Sequence, residues 1–412
     1  MAASQDQQRR PVIVIGAGPA GLSSALGLRA LGVPVCLLEA EPEDRVRPGS
    51  RALYVHRDSL RLLERMRSGV GTVIADRGIR WHGRRTFYRG RLVFARDHPE
   101  TSGAAGRWPP PYASLRQVET EGFLLAACRA AGVELVWSAR VDEVRSGSAG
   151  IELCTADGRA WTSGYLIAAD GARSCVRARI GRTMQGDRSN SYHVVVDLAD
   201  DPASPAAARL RTFHYHHPGL DGRHVLVVPF AGGRQVDLQC HRDEDPDELL
   251  TETRLRAWLP KVVEPGYLDR VLWVSRYPFL QLVADSFVDE NRRVLLVGEA
   301  AHLYAPFGAR GMNSGIADAA AASGAVAAAL TADSPDRAWH AVDRYNTTRR
   351  SAAENNRDAA GRALAHMRPR GMVPRVRQRA AAALTPVVPR FGEWLEKAPY
   401  GPRIAASATG TY

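Results

Sequence analysis

Lysine is nearly missing from this chain. Of 55 basic residues only Lys261 and Lys397 are lysines, so 55 − 2 leaves 53 arginines. So uniform a bias reads as the imprint of a G+C-rich genome. Cysteine is sparse as well: Cys36, Cys128, Cys154, Cys175 and Cys240 are scattered, odd in number and form no C-x-x-C pair. That excludes a disulfide framework and fits reduced thiols in a cytoplasmic protein. No run reaches the ~18 apolar residues that would span a bilayer. The opening residues MAASQDQQRRP lack the apolar core of a secretion signal. No internal repeat is visible. The net charge is +11, but the arginines are dispersed and no nucleic-acid recognition module appears. What the charge does favour is an anionic ligand, such as a nicotinamide dinucleotide or an acidic substrate.

What is present begins with length. At 412 residues, 45% hydrophobic and 24% charged, the chain can build two domains with ordinary cores. Its organising stretch is Val12 to Glu39. Val12-Ile13-Val14-Ile15 reads as a strand buried on both faces. Gly16, Gly18 and Gly21 then stand in G-x-G-x-x-G spacing, and Leu22 to Leu31 reads as a helix that Gly32 can end. Val33 to Leu38 is a second strand, closed by Glu39. In this order the parts have separate tasks: Gly16 permits a tight turn, Gly18 admits a pyrophosphate, and Gly21 lets helix and strand pack closely. The helix N-terminus, with Pro19 and Ala20 in its first turn, offers free N–H groups to phosphates. Glu39 can accept from ribose hydroxyls.

Beyond Glu39 the loop to Ser50 carries Arg45 and Arg47, and with Arg51 these are candidate phosphate partners. Asp58-Ser59 can cap a helix from Leu60 to Met66. Thr72 to Phe94 reads as short alternating strands. Gln117 to Ala131 reads as a helix, and Val133 to Trp137, Ile151 to Thr155 and Trp161 to Ala168 as strands. Between Tyr192 and Cys240 four strands separated by turn signals indicate an antiparallel sheet. A helix is expected over Asp247 to Leu259, a buried strand over Arg293 to Gly298, and an alanine-rich helix over Asp318 to Leu330. The last ~50 residues read as helical and basic, broken by prolines.

Three separated segments then coincide: GAGPAG with Glu39, Tyr165 to Ser174 containing Asp170-Gly171, and Val297-Gly298-Glu299-Ala300-Ala301-His302 running on through Pro306 to Asp318. Together they resemble the single-component FAD-dependent aromatic hydroxylases with the para-hydroxybenzoate hydroxylase fold. The resemblance implies an α/β, Rossmann-like FAD-binding domain with a parallel sheet, discontinuous over residues 11–71, 113–181 and 286–365. An inserted antiparallel-sheet substrate domain would span 72–112 and 182–285. Residues 366–412 would form a C-terminal helical segment, serving as a cap over the active site, a homodimer contact, or a basic surface for a membrane or an acidic carrier protein.

By the same resemblance Gly16, Gly18, Pro19, Ala20 and Gly21 take the pyrophosphate and Glu39 the ribose. Arg51 and Gln117 face flavin phosphate and ribityl. Asp170 serves FAD and the reduced nicotinamide. Gly311, Met312 and Asn313 cradle the isoalloxazine at a helix N-terminus. Glu299 stands where the family usually has Asp, one methylene longer toward the ribityl chain. The implied reaction uses NADPH or NADH and O2: a flavin C4a-hydroperoxide delivers hydroxyl to a phenolic or other electron-rich carbon, in a pocket that excludes water.

The residues that would assist are less marked. In Phe213-His214-Tyr215-His216-His217, alternation sets His214 and His216 on one face, as a substrate base, as satisfied histidines, or as a metal pair. No carboxylate follows at a convincing ligand spacing, so no metal is expected. Tyr277 is a pocket candidate, and Pro306 matches the family proline beside the flavin. A second G-x-G-x-x-G is absent, which argues against monooxygenases with two dinucleotide domains. A halogenase of the same opening fold would need an active-site lysine, and neither Lys261 nor Lys397 is placed for one. Epoxidation or ring oxidation on the same fold, and a flavin-binding sensor without turnover, remain as rivals.

Overall fold

A computed structural model describes residues 8–46, 52–98, 108–201, 209–241 and 244–402. The chain opens with β1 (Gln8–Ile15), α1 (Pro19–Ala30) and β2 (Val35–Leu38), then β3 (Tyr54–His56), α2 (Arg57–Met66) and α3 (Val70–Arg77). There follow β4 (Gly83–Tyr88), β5 (Arg91–Asp97), β6 (Tyr112–Ser114), α4 (Gln117–Ala130) and β7 (Glu134–Val136). Next are β8 (Val141–Gly147), β9 (Gly150–Thr155), β10 (Ala160–Ala168), α5 (Cys175–Arg179), β11 (Met184–Ala199) and β12 (Leu210–Tyr215). β13 (Val225–Phe230), β14 (Gly233–Gln239), α6 (Pro246–Leu249), α7 (Glu252–Trp258) and β15 (Val271–Ala284) complete the middle of the chain. The last elements are β16 (Val294–Leu296), β17 (His302–Leu303), α8 (Arg310–Leu330), α9 (Pro335–Met367), α10 (Met372–Leu384) and α11 (Pro389–Lys397).

Two large sheets result. The first runs β7-β2-β1-β10-β9-β8, with β16 also on β10. Its centre is parallel, so β1 and β2 are apolar on both faces: Val12, Ile13, Val14, Cys36, Leu37 and Leu38 are fully buried. The second runs β17-β15-β11-β14-β13-β12-β4-β5 and is antiparallel except for the β12–β4 pair. One of its faces buries Val194, Val196, Val225, Val236 and Leu238 in a core with Leu255 and Trp258 of α7. The alternate positions of the same strands point the other way, toward the first sheet.

Helix α1 lies against α8, and the fit depends on small residues. A Cβ on Gly27 of α1 would stand 2.6 Å from Ser323 Oγ of α8, and one on Gly315 of α8 3.3 Å from Ala20 Cβ of α1. Only glycine permits this approach. Ser323 Oγ donates to Ser24 O at 3.0 Å across the same helix pair.

Several elements depart from the sequence expectation. Residues 70–77 are helical, not strand, and α3 packs against α2 and α4. The first helix after the loop begins at Arg57, with His56 at its N-cap position, and Ser59 Oγ donates instead to Asn313 Oδ1 at 2.7 Å. The helix expected over 247–259 breaks at Leu250 because Thr251 takes extended backbone and starts α7. α8 starts eight residues before Asp318, at Arg310: Gly311 and Gly315 are helical, and Gly315 meets Ala20 of α1.

Candidate functional site

The two sheets and the C-terminal helices enclose a cavity of about 2450 Å³. The N-termini of α1 and α8 both open onto it. Each supplies N–H groups without intrahelical partners, and each brings a glycine whose Cβ would meet nothing within 4 Å: Gly18 and Gly311. Pro19, Ala20, Gln117, Tyr277, Glu299, Pro306 and Met312 line the same space. The 16–21 and 298–315 segments, nearly 280 residues apart in sequence, thus form one cradle. Two open glycine turns at helix N-termini suit a diphosphate and an electron-rich ring, so FAD fits the residues present.

Other expected contacts sit behind the cradle and shape it. Gly16, at φ +100°, lies against Ala169 O, where no side chain would fit. Glu39 accepts from Ala17 N–H at 2.6 Å, Glu41 N–H at 3.0 Å and Arg45 at 3.0 Å. Asp170 accepts from Val176 N–H at 3.0 Å, and burial raises its carboxyl pKa. Asn313 spends its side chain on the protein, accepting from His56 N–H and Ser59 Oγ and donating to Tyr54 O and Ala309 O, all within 2.8 Å. It clasps α8 to β3 and α2. Arg47 and Arg51 lie outside the described residues.

Beneath the second turn is a buried charge cluster. Asp318 accepts from Gly298 N–H at 3.1 Å and Arg349 Nε at 2.7 Å, and His302 Nε2 lies 2.6 Å away. Burial works against ionisation of Asp318, but Arg349 and His302 hold its carboxyl below the usual range. Replacing Arg349 by methionine leaves a buried carboxylate without its cation. A loss of about 3 kcal/mol or more in urea unfolding is expected; an unchanged midpoint would show the cluster to be dispensable.

His214 and His216 do not line the cavity. In β12 it is Arg211, Phe213 and Tyr215 that share the inner face, and alternation turns His214 away to stack on Phe87 at 4.6 Å. The strand ends at Tyr215 because His216 adopts φ +51°; its ring packs against His224 at 4.7 Å. Burial pushes His214 and His366 down to about 4 and His224 to about 3. His366 Nε2 is 2.8 Å from Tyr215 Oη, and His224 Nε2 is 3.1 Å from Met367 O. These rings are neutral in the folded chain. Unfolded histidines gain protons below about 6.5, so between there and about pH 4 the unfolded chain binds more protons and stability falls as pH falls. Melting temperature is expected to drop steeply across that window. A flat profile would contradict neutral burial.

The cavity face instead presents His193 of β11 and Asp237 of β14, whose Nδ1 and Oδ1 are in direct contact. Phe279 and Phe307 meet the imidazole edge-on at 4.5 and 6.0 Å. Gln235, Ser275 and Tyr277 border the pair. Sequence reasoning passed over both residues. The signal was the polar alternation Gln235-Val236-Asp237-Leu238, in which a carboxylate sits mid-strand between core residues. From the C-terminal segment, Glu396, Lys397 and Tyr400 also line the cavity, so Lys397, expected away from any active site, borders this one, with its Nζ bound to Glu393 at 3.0 Å.

The family model for the FAD binding domain matches residues 9–360. The chain belongs to this FAD-binding family. The 3-(3-hydroxy-phenyl)propionate/3-hydroxycinnamic acid hydroxylase of Mycolicibacterium smegmatis is 28% identical over 83% of this chain and 58% of its own length. The 6-methylpretetramide 4-monooxygenase of Streptomyces rimosus is 30% identical over 75% of this chain and 54% of its own. The chain thus spans between half and two thirds of these curated relatives. Among solved structures, p-nitrophenol 4-monooxygenase PnpA from Pseudomonas putida DLL-E4 superposes with a TM-score of 0.75, over 97% of this chain and 100% of that one, at 24% identity. The flavin-dependent monooxygenase PieE, solved with FAD and substrate, gives 0.74 over 96% and 75% at 22% identity. These likenesses show the fold. No helix among the described residues is long and apolar enough to cross a membrane.

Proposed function

We propose that this chain is a FAD-dependent monooxygenase that uses NAD(P)H and O2 to hydroxylate an aromatic or similarly electron-rich small molecule. The observation that carries the reading is the convergence of two glycine-opened helix N-termini with the His193–Asp237 pair on one cavity. Its volume exceeds the ~300–1,000 Å³ of an ordinary ligand site and leaves room for a cofactor and a substrate together. FAD, when bound, supplies the redox chemistry, taking a hydride from the reduced nicotinamide and activating O2. In balance, one oxygen atom enters a substrate C–H bond as hydroxyl. The other leaves as water, with NAD(P)H and a proton consumed.

The chain's own residues bind, orient and move protons. Gly16, Gly18, Pro19, Ala20 and Gly21 shape and supply the diphosphate cradle. Glu39 already takes three donors, which leaves about one of a carboxylate's roughly four acceptor sites for a ribose hydroxyl. Glu299 and Gln117 face the ribityl region, and Gly311 and Met312 offer N–H groups at the start of α8. His193, oriented by Asp237, takes the proton of a phenolic hydroxyl and so enriches the ring carbons to be attacked. Tyr277, whose Oη lies 3.4 Å from Tyr304 O, and Pro306 wall the same space against water. The reading places the enzyme in the cytoplasm, where its five free cysteines stay reduced.

The test is NAD(P)H oxidation by the FAD-loaded chain over a panel of phenols under ¹⁸O₂. At least one phenol should stimulate oxidation and recover one labelled oxygen in product. Stimulated oxidation with no label in any product would overturn the reading.

A further inference from the structure

One arm of the cavity is cationic by construction. β12, β4 and β5 are neighbours, and their register pairs Arg211 with Arg84 and Arg84 with Arg96. Paired residues point to the same side of a sheet, about 4.8 Å from strand to strand, so three guanidinium side chains stand in one row. A second row lies beside it. His82 N–H donates to Arg209 O at 2.9 Å and His98 N–H to His82 O at 2.7 Å, which sets Arg209, His82 and His98 abreast. All six line the cavity.

Like charges directly opposite one another across strands destabilise a sheet. Among the described residues lining this arm of the cavity the one carboxylate is Glu396. It is only 2% exposed, accepts from Arg211 at 2.8 Å and from Thr86 Oγ1, and lies 3.7 Å from Arg84. Its charge therefore goes mainly to Arg211, leaving Arg84 with a long contact and Arg96 with an exposed partner, Glu393, outside the cavity lining. The excess is felt locally: after burial, Arg84 and Arg96 are what lower the pKa of His98. Aromatic surface frames the row, with Trp81 under the Arg84 guanidinium at 5.6 Å and Phe94 beneath Arg96 at 5.4 Å.

We infer that this arginine ladder is an anion subsite of the cavity, taking the carboxylate of an aromatic acid substrate or a phosphate of the nicotinamide dinucleotide. The chemistry shared by the two is a compact oxyanion set against guanidinium forks, beside a flat ring on Trp81. The inference rests on the monooxygenase reading for the nature of its ligands, but a binding measurement can separate the two.

The FAD-loaded chain is titrated, by quenching of tryptophan fluorescence, with a panel of hydroxylated cinnamic, benzoic and naphthoic acids, with their methyl esters, and with NADP⁺ and NAD⁺. The same titrations are run on Arg84→Gln and on Arg96→Gln, the latter a half-exposed position that the fold tolerates. A substrate source is expected to show as an acid bound about tenfold or more tighter than its ester, the ratio falling toward one in both variants. A dinucleotide source shows as a comparable loss of NADP⁺ or NAD⁺ affinity in both variants, with the acid-to-ester ratio near one throughout. If neither variant lowers the acid-to-ester ratio of any acid or the affinity for either dinucleotide, the subsite does not exist. Because no turnover is read, an acid preference in a chain that hydroxylates nothing would sink the activity and leave the subsite standing.

Discussion

Gly18→Val is expected to leave the chain folded and colourless. Gly18 already has φ −80°, a value any residue adopts, and a Cβ there meets nothing within 4 Å. The added side chain therefore disturbs no neighbour and projects into the cavity where the diphosphate would lie. FAD affinity should fall on the order of a hundredfold, as a steric clash of a few kcal/mol requires, while the melting temperature of the apo chain stays where it was. Gly21→Val is the contrasting substitution. Its Cβ would sit 1.8 Å from a backbone oxygen, so α1 must leave β1 and the apo chain itself should be destabilised. Equilibrium FAD binding and apo melting curves on the two variants separate a cofactor-facing glycine from a packing glycine. Equal destabilisation in both would remove the cradle from the proposal.

Among changes in the pocket that spare FAD binding, His193→Phe should cost hydroxylation the most. The ring keeps its place between Phe279 and Phe307, but nothing remains to take the phenolic proton. A loss of about 10²–10⁴ in kcat is expected. FAD loading and flavin reduction should be spared, because His193 lies on β11 and not at either glycine-opened helix N-terminus. The pH profile gives a signature that a merely structural role would not produce. A phenol ionises by itself near pH ~10, so the variant's activity should climb with pH toward that of the parent enzyme. Asp237→Asn, which keeps the shape and removes the orienting charge, should fall between the two. A His193→Phe enzyme with near-normal turnover at neutral pH would refute the assignment.

The two substitutions also mark what could be read in the sequence. The dinucleotide end was legible because its residues are constrained by backbone geometry. Gly16 needs a positive φ, Gly21 needs an absent Cβ, and the strands on either side need apolar residues on both faces. Such requirements leave a pattern within a few dozen residues. The second turn was legible for the same reason: the resemblance set a helix N-terminus at Gly311 to Asn313, where α8 begins, although the alanine-rich pattern alone started the helix only at Asp318. The substrate side was not. His193 and Asp237 lie 44 residues apart (237 − 193) and meet only because β11 pairs with β14. His214 drew attention as one of a run of histidines. Which face of β12 is inward depends on register with β4 and β13, and no local period reveals it. Arg84, Arg96 and Arg211 were hidden differently, among 53 arginines whose abundance masks the few that stand in a row.

The claim on which the rest depends is that the crevice between Gly18 and Met312 holds FAD. A crystal structure of the chain soaked with FAD tests it most directly. The expected result is diphosphate density on the N-terminus of α1 and the isoalloxazine against the start of α8, with its open side toward His193. An empty crevice, or FAD bound elsewhere on the surface, would contradict it.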